Sequence, residues 1–279
     1  MDVWLRQARK DFHADCLLGP ISSTNGIPSI ADVSNKASRE ISCALVKKIG
    51  LIQLKSEKLP GQTAGHMFEG VCQSFLKKCM EKFSHLRPGE FAVERGKMIS
   101  MFDQYTHLDE IRILTDESKE LKTHLGTDYL IKPDIVVIRK PETDDKINSK
   151  FALVDHTVAQ RTSLRRSNGV SDSLHASVSI KLTIRSDRVQ NTRSEALNLV
   201  RNRKGRLPHI AAITAEPLPS RIAAIALGTG DIDCVYHFAL TELVEVLKEQ
   251  ERETLELVET MIDGKRLKDI SDLPLDLLI

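Results

Sequence analysis

Residues 175–184 carry the strongest folding signal in the sequence, a strict alternation of apolar and polar side chains. In an extended chain, successive side chains point to opposite faces, so the apolar set and the polar set separate. The two sets are Val178, Ile180, Leu182 and Ile184, and Ser177, Ser179, Lys181 and Thr183. The alternation predicts a β-strand, and a lone strand is not stable, so the rest of the chain must supply a sheet.

Strand patterns and helix patterns alternate along the rest of the chain. Short apolar runs predict buried strands at residues 129–138, 151–154, 209–214 and 234–238. Helical spacing of apolar residues predicts helices over 67–83, 193–204 and 240–262, and residues 221–227 form a short helix or a strand. The interleaving predicts the α/β class, with a central mixed β-sheet flanked by helices in a single domain over residues 1–279.

The formal net charge is only +1, but the charged residues are distributed unevenly along the chain. Residues 181–206 hold eight basic and two acidic residues, whereas residues 239–279 hold five basic and eleven acidic residues. A basic block of this kind is typical of contact with phosphate groups, and a solvated basic helix face explains it equally well. Aromatic residues make up only 4% of the chain, which argues against a base-stacking platform for single strands.

The sequence predicts neither a membrane partner nor disulfides. Its longest apolar run, residues 222–227, is far shorter than the roughly 20 residues that a spanning helix needs. The amino terminus lacks the basic and apolar layout of a signal peptide, and the five cysteines form no CxxC pair. We therefore expect a cytoplasmic protein with buried, reduced thiols.

Four residues have the chemistry of metal-dependent phosphodiester hydrolysis. Asp134 lies in a predicted strand, Ser179 and Lys181 share one face of the alternating strand, and Glu195 follows in the first turn of the predicted helix, three residues after Thr192. If the two strands are neighbours, a carboxylate and an ammonium group meet at one end of the sheet, where carboxylates hold a cation. Each residue alone also fits an ordinary role as a turn, edge or capping residue.

The segment Arg185-Ser-Asp-Arg188 follows the alternating strand directly. Arginine binds guanine O6 and N7 with two hydrogen bonds, and aspartate accepts a hydrogen bond from the cytosine amino group. The segment therefore predicts recognition of C·G base pairs, although a local Arg–Asp ion pair is the alternative.

Several motifs together resemble the NgoMIV family of type II restriction endonucleases, in the CCGG-recognising branch of the PD-(D/E)xK nuclease superfamily. The similar segments are residues 59–63, 179–181, 185–188, 198–209, 225–238 and 265–276. They are dense from residue 129 onward and sparser before residue 59. The resemblance implies a restriction-endonuclease-like core fold.

The resemblance also implies a role for each matching residue. Asp134 resembles the metal-bridging aspartate, and Lys181 resembles the lysine that orients or activates the attacking water. The backbone carbonyl of Ile180 is similar to a further metal ligand. Ser179 occupies the place of the acid in the superfamily motif, and Glu195 resembles the displaced acid that replaces it. Asp134 and Lys181 are 47 residues apart, which is more than the usual interval of the superfamily.

The remaining implied roles concern DNA. The major-groove readers of the CCGG core are Arg185, Asp187 and Arg188. The outer base pair is read by Asp32 and Arg221, and Gln62 is a minor-groove contact. Glu69 is implied to be a further carboxylate of the catalytic site, which acts through metal-bound water. The resemblance thus implies Mg²⁺-dependent cleavage of double-stranded DNA at GCCGGC to leave 5′ overhangs, by a homotetramer that binds two DNA sites. The alternative is a sequence-specific DNA-binding protein without catalysis.

Overall fold

A mixed β-sheet of six strands lies at the centre of the computed structural model. The strands run in the order β3-β4-β5-β6-β7-β8. Their bounds are Phe91–Arg95, Ile135–Arg139, Ser173–Lys181, His209–Thr214, Cys234–His237 and Leu267–Asp269, and the short strands β1 and β2, Ser23–Thr24 and Ile27–Pro28, form a separate hairpin. The structure describes residues 3–50, 54, 59–120, 123, 130–228 and 230–279, and the backbone alone of residues 186–188.

Helices flank this sheet along the described part of the chain. They are α1 (Trp4–Leu18), α2 (Lys36–Ile49), α3 (Gly61–Lys82), α4 (His107–Glu117), α5 (Asp144–Ile147), α6 (Ser186–Asn202), α7 (Pro219–Ala226), α8 (Leu240–Glu249), α9 (Leu255–Asp263) and α10 (Leu273–Asp276). Helix α3 contacts β3 and β5, and α1 packs on α3. The apolar stripe of α3 provides the contact through Phe68, Cys72 and Leu76, which are fully buried. Burying one such large side chain contributes roughly 1.5–3 kcal/mol.

The strand directions bring the start of β4 and the ends of β5 and β6 to the same end of the sheet. β4 runs antiparallel to β5, with Ile135 opposite Val178. β5, β6, β7 and β8 are parallel, with Lys181 opposite Thr214. The start of β4 therefore lies beside the ends of β5 and β6.

The sheet confirms the predicted α/β class, whereas some predicted strand bounds were wrong. The alternating strand begins at Ser173 and ends at Lys181. The strand expected over 129–138 begins only at Ile135, so Asp134 precedes it; Tyr129 lies outside the described residues. Residues 151–154 form an exposed loop, because the Asn148 side chain takes the backbone hydrogen bonds of residues 153 and 154.

Two helix predictions also differ from the structure. Helix α6 begins at Ser186, seven residues before the expected start, so Glu195 lies in its third turn and Thr192 is a buried interior residue. The helix expected over 240–262 is interrupted at residues 250–254, which leaves α8 and α9. Residues 219–226 are helical, which resolves the open alternative there. The cysteines are free as expected, but Cys43 is exposed.

Candidate active site

Asp134 and Lys181 meet where β4 begins and the neighbouring strand β5 ends. The Nζ atom of Lys181 donates to Oδ2 of Asp134 over 2.9 Å. The backbone N–H of Ile180 donates to the same oxygen over 2.6 Å. The lysine side chain is 18% exposed and the aspartate side chain 25%, so the pair lies at the surface of a cleft and stays partly screened from water. Both bonds end on Oδ2, which leaves Oδ1 for another ligand.

Glu195 lies on helix α6 and is half-buried. Burial raises the pKa of Glu195; the positive charge of Lys181 lowers it and the negative charge of Asp134 raises it. Both residues are therefore close enough to act on this carboxyl group electrostatically. The three residues expected to share a pocket are electrostatic neighbours in the structure, although the helical turn that carries Glu195 differs from the expected one.

Ser179 lies two residues before Lys181 on β5. Its Oγ atom is buried and has no hydrogen-bond partner within the described residues. An orphaned hydroxyl costs free energy because its lost hydration is not replaced. Ile180 is 5% exposed and packs in the core, so its backbone faces the site while its side chain anchors the strand.

Glu69 approaches the site from helix α3. Its Oε2 accepts a hydrogen bond from Arg95 on β3 over 2.7 Å, and His66 Nδ1 lies 3.3 Å from the same oxygen. Glu69 also lines a cleft of about 730 Å³ together with Asp134 and Lys132. The carboxylate therefore lies on the side of Asp134 that faces β3.

A larger cleft of about 1220 Å³ opens beside the Asp134–Lys181 pair. It is lined by sequence-predicted residues from five separate segments. They are Asp32, Gln62, Glu69, Ile180, Lys181, Arg185 and Arg221. Gln62 and Arg185 have exposed side chains. The cleft thus brings Lys181 together with several candidates for base recognition.

Asp32 and Arg221 form an ion pair across this cleft, Asp32 from the loop before α2 and Arg221 from α7. A hydrogen bond from the Ser34 hydroxyl and the bond from Arg221 lower the pKa of Asp32 to about 2. The carboxylate is therefore ionised throughout the neutral range. Such a pair presents donors and acceptors at fixed positions. Asp187 and Arg188 follow Arg185 at the start of α6, but their side chains lie outside the described part of the structure.

Two residues at this edge were missed by the sequence analysis. Arg95 holds Glu69, and Glu216 lies just after β6, where its buried side chain contacts Ile184 and Arg221. The only sequence signal for Glu216 is a carboxylate two residues after a strand that ends beside Lys181. Arg95 ends a strand that the sequence analysis did not predict.

The described residues contain no group of three His, Cys, Asp or Glu side chains arranged to hold a metal ion. Among those residues, no helix is long and apolar enough to cross a bilayer.

Comparisons with known proteins identify the family of this chain. The family model described as NgoMIV restriction enzyme matches residues 12–279. The type II restriction enzyme NgoMIV of Neisseria gonorrhoeae is 50% identical over 287 residues, which cover 100% of both chains.

Two solved restriction endonucleases share a weaker structural likeness. PspGI in complex with substrate DNA has a TM-score of 0.39 and 14% identity over 78% of this chain and 61% of its own. Bse634I has a TM-score of 0.36 and 17% identity over 75% of this chain and 82% of its own. The family assignment rests on the sequence matches.

The matches define a type II restriction enzyme, that is, a site-specific deoxyribonuclease. The chain belongs to the NgoMIV restriction enzyme family, as its motifs predicted. Membership of a family of enzymes disfavours the alternative of a DNA-binding protein without catalysis.

Proposed function

We propose that this enzyme cleaves double-stranded DNA in a Mg²⁺-dependent reaction at GCCGGC, a site with a CCGG core, and leaves 5′ overhangs. The observation that carries the proposal is the bond of 2.9 Å between Lys181 and Asp134 at the edge of a cleft lined by arginines. The two side chains are 18% and 25% exposed, so the ammonium group and the carboxylate remain accessible to an anionic backbone.

The donor atoms near Asp134 suit magnesium. Mg²⁺ prefers oxygen ligands and is commonly held by one or two carboxylates together with waters and substrate phosphates. Asp134 Oδ1, the Glu195 carboxylate and the Ile180 carbonyl are the oxygen donors proposed here, and Glu69 acts through a metal-bound water. Bound magnesium neutralises charge on the reacting phosphate and makes a bound water more acidic.

Lys181 supplies a positive charge to the attacking water or to the phosphate that it attacks. Asp134 fixes the ammonium group through its hydrogen bond, so little reorganisation is needed when substrate arrives. Glu195 must be ionised to bind the metal, and burial favours its protonated form. Ser179 replaces the acid of the superfamily motif without adding a negative charge to the site.

Base recognition is proposed for the same cleft. Arg185, Asp187 and Arg188 bind the CCGG core in the major groove. Asp32 and Arg221 bind the outer base pair, and Gln62 contacts the minor groove. Arg221 is 32% exposed at its side chain, so part of it remains accessible while it pairs with Asp32. Arginine and aspartate match the donors and acceptors of G·C pairs.

Assembly into a homotetramer that binds two DNA sites is part of the proposal. The loop after α5 supports an assembly role, since Phe151, Leu153 and Val158 are 71%, 61% and 50% exposed. Neighbouring exposed apolar side chains of this kind mark interaction surfaces. Light scattering would measure the mass, and a plasmid with two sites should be cut faster than one with a single site.

The direct test is digestion of a plasmid of known sequence. With Mg²⁺, cleavage should occur at GCCGGC alone, and mapping of the ends should place the cuts so that 5′ overhangs result. With EDTA, cleavage should cease. Ends at sites without CCGG would contradict the proposed specificity, and full activity without a divalent cation would contradict the proposed metal dependence.

A further inference from the structure

Glu216 is a fully buried carboxylate between the two base-recognition segments. It follows β6 by two residues, and its relative exposure is 0%. Its backbone is fixed on both sides: its N–H donates to Thr214 Oγ1 over 3.1 Å, and its carbonyl oxygen lies 3.1 Å from His237 Nε2. The side chain therefore projects from a rigid position at the edge of the sheet.

The two oxygens of Glu216 contact two different segments. Oε2 accepts a hydrogen bond from the backbone N–H of Ile184 over 2.8 Å. Oε1 accepts one from the backbone N–H of Leu218 over 3.2 Å and lies 3.8 Å from a guanidinium nitrogen of Arg221. Burial raises the pKa of this carboxyl group, while the two N–H groups and Arg221 lower it.

Each contacted residue leads directly into a proposed base-recognition segment. Ile184 precedes Arg185, which is the N-cap of α6. Leu218 is the N-cap of α7, and Arg221 lies in the first turn of that helix. Hydrogen bonds to a charged acceptor are stronger than those between neutral groups. One side chain thus ties the start of α6 to the start of α7.

We propose that Glu216 is a positioning residue for sequence specificity, which sets the spacing between the segment that reads the CCGG core and the arginine that reads the outer base pair. The inference rests on the proposed function. Glu216 does not line the cleft, so it acts through Ile184 and Arg221 rather than on DNA. Base contacts lose discrimination when the donors move, because hydrogen bonds to base edges depend on geometry.

The test compares Glu216→Gln with a matched control, Asp269→Asn. Glutamine keeps one acceptor oxygen and removes the charge. Asp269 is also a buried carboxylate that accepts two backbone N–H bonds, from Leu240 and Ser271, and pairs with an arginine, Arg9. It lies at the end of β8 and does not line the cleft. The readout is the ratio of cleavage rates for GCCGGC and for sites with one altered base pair.

In Glu216→Gln the ratio should fall by about tenfold at outer and core positions, and in Asp269→Asn it should stay unchanged even where the melting temperature drops. A second variant, Glu216→Asp, keeps the charge on a shorter side chain and should show the same fall in the ratio. It replaces the glutamine variant as the test if the glutamine variant does not fold. A wild-type ratio in both Glu216 variants would overturn the inference. An equal fall in Asp269→Asn would overturn it too, because the ratio would then follow stability. Lack of cleavage by the wild type would refute the proposed function and this inference with it.

Discussion

Acidification should destabilise the fold through His237, which is fully buried at the end of β7. Its Nδ1 accepts a hydrogen bond from the backbone N–H of Ala239 over 3.2 Å. Its Nε2 lies 3.1 Å from the carbonyl oxygen of Glu216 and donates to it. A neutral ring with its hydrogen on Nε2 satisfies both contacts. A second proton on Nδ1 would face the N–H of Ala239, so protonation breaks one bond and buries a charge.

The size of the effect follows from the pKa. Burial lowers the pKa of His237 from 6.5 to about 4. Since the folded protein binds this proton less readily than the unfolded chain, the contribution to stability is fully present above pH 6.5 and is lost as the pH falls towards 4. A pKa difference of one corresponds to about 1.4 kcal/mol, so the loss is about 3 kcal/mol.

Urea unfolding of the wild type and of His237→Gln at pH 7 and pH 4 measures this loss. Glutamine does not titrate, and its amide can still donate to the Glu216 carbonyl. The free energy of unfolding of the wild type, relative to that of the variant, should drop by about 3 kcal/mol between the two pH values. Other titrating groups, such as His175, are common to both proteins and cancel. Parallel pH profiles would refute the reasoning.

Three further predictions concern the fold and the DNA-binding surface. Arg9 contacts Asp269 over 2.7 Å and Glu242 over 2.6 Å. Arg9→Ala leaves both carboxylates without this partner and should lower the free energy of unfolding by about 3–5 kcal/mol. A loss well under about 1 kcal/mol in urea unfolding would contradict this. Asp187→Ala should weaken discrimination at a C·G position by about 1–3 kcal/mol, and an unchanged site preference in a cleavage selection would count against that role. DNA binding should weaken steeply with salt through residues 181–206, so a flat dependence in a filter-binding titration would place that block away from DNA.

Local patterns predicted much of the sheet. Alternation over residues 175–184 identified β5 because side-chain direction in a strand depends only on neighbouring residues. The same logic failed for residues 151–154, where an apolar run is exposed and the Asn148 side chain takes the backbone hydrogen bonds. The early start of α6 was missed because its first turns are polar and show no apolar period.

The candidate site depended on contacts that local patterns do not contain. Asp134 and Lys181 were expected to meet only if their strands were neighbours, and the pairing of β4 with β5 supplies that condition. Glu216 was missed because its partners Ile184 and Arg221 lie on either side of it in the chain, in segments that come together only in the folded protein. Its burial is a property of the fold.

We propose that Lys181, held by Asp134, carries out cleavage rather than DNA binding. The most direct measurement compares wild type, Lys181→Ala and Lys77→Ala, a control on the exposed face of α3, for cleavage of a GCCGGC duplex in Mg²⁺ and for binding of that duplex in Ca²⁺. Lys181→Ala should lose cleavage by at least about a hundredfold and retain specific binding, while the control keeps both. Equal cleavage by Lys181→Ala and wild type would contradict the account.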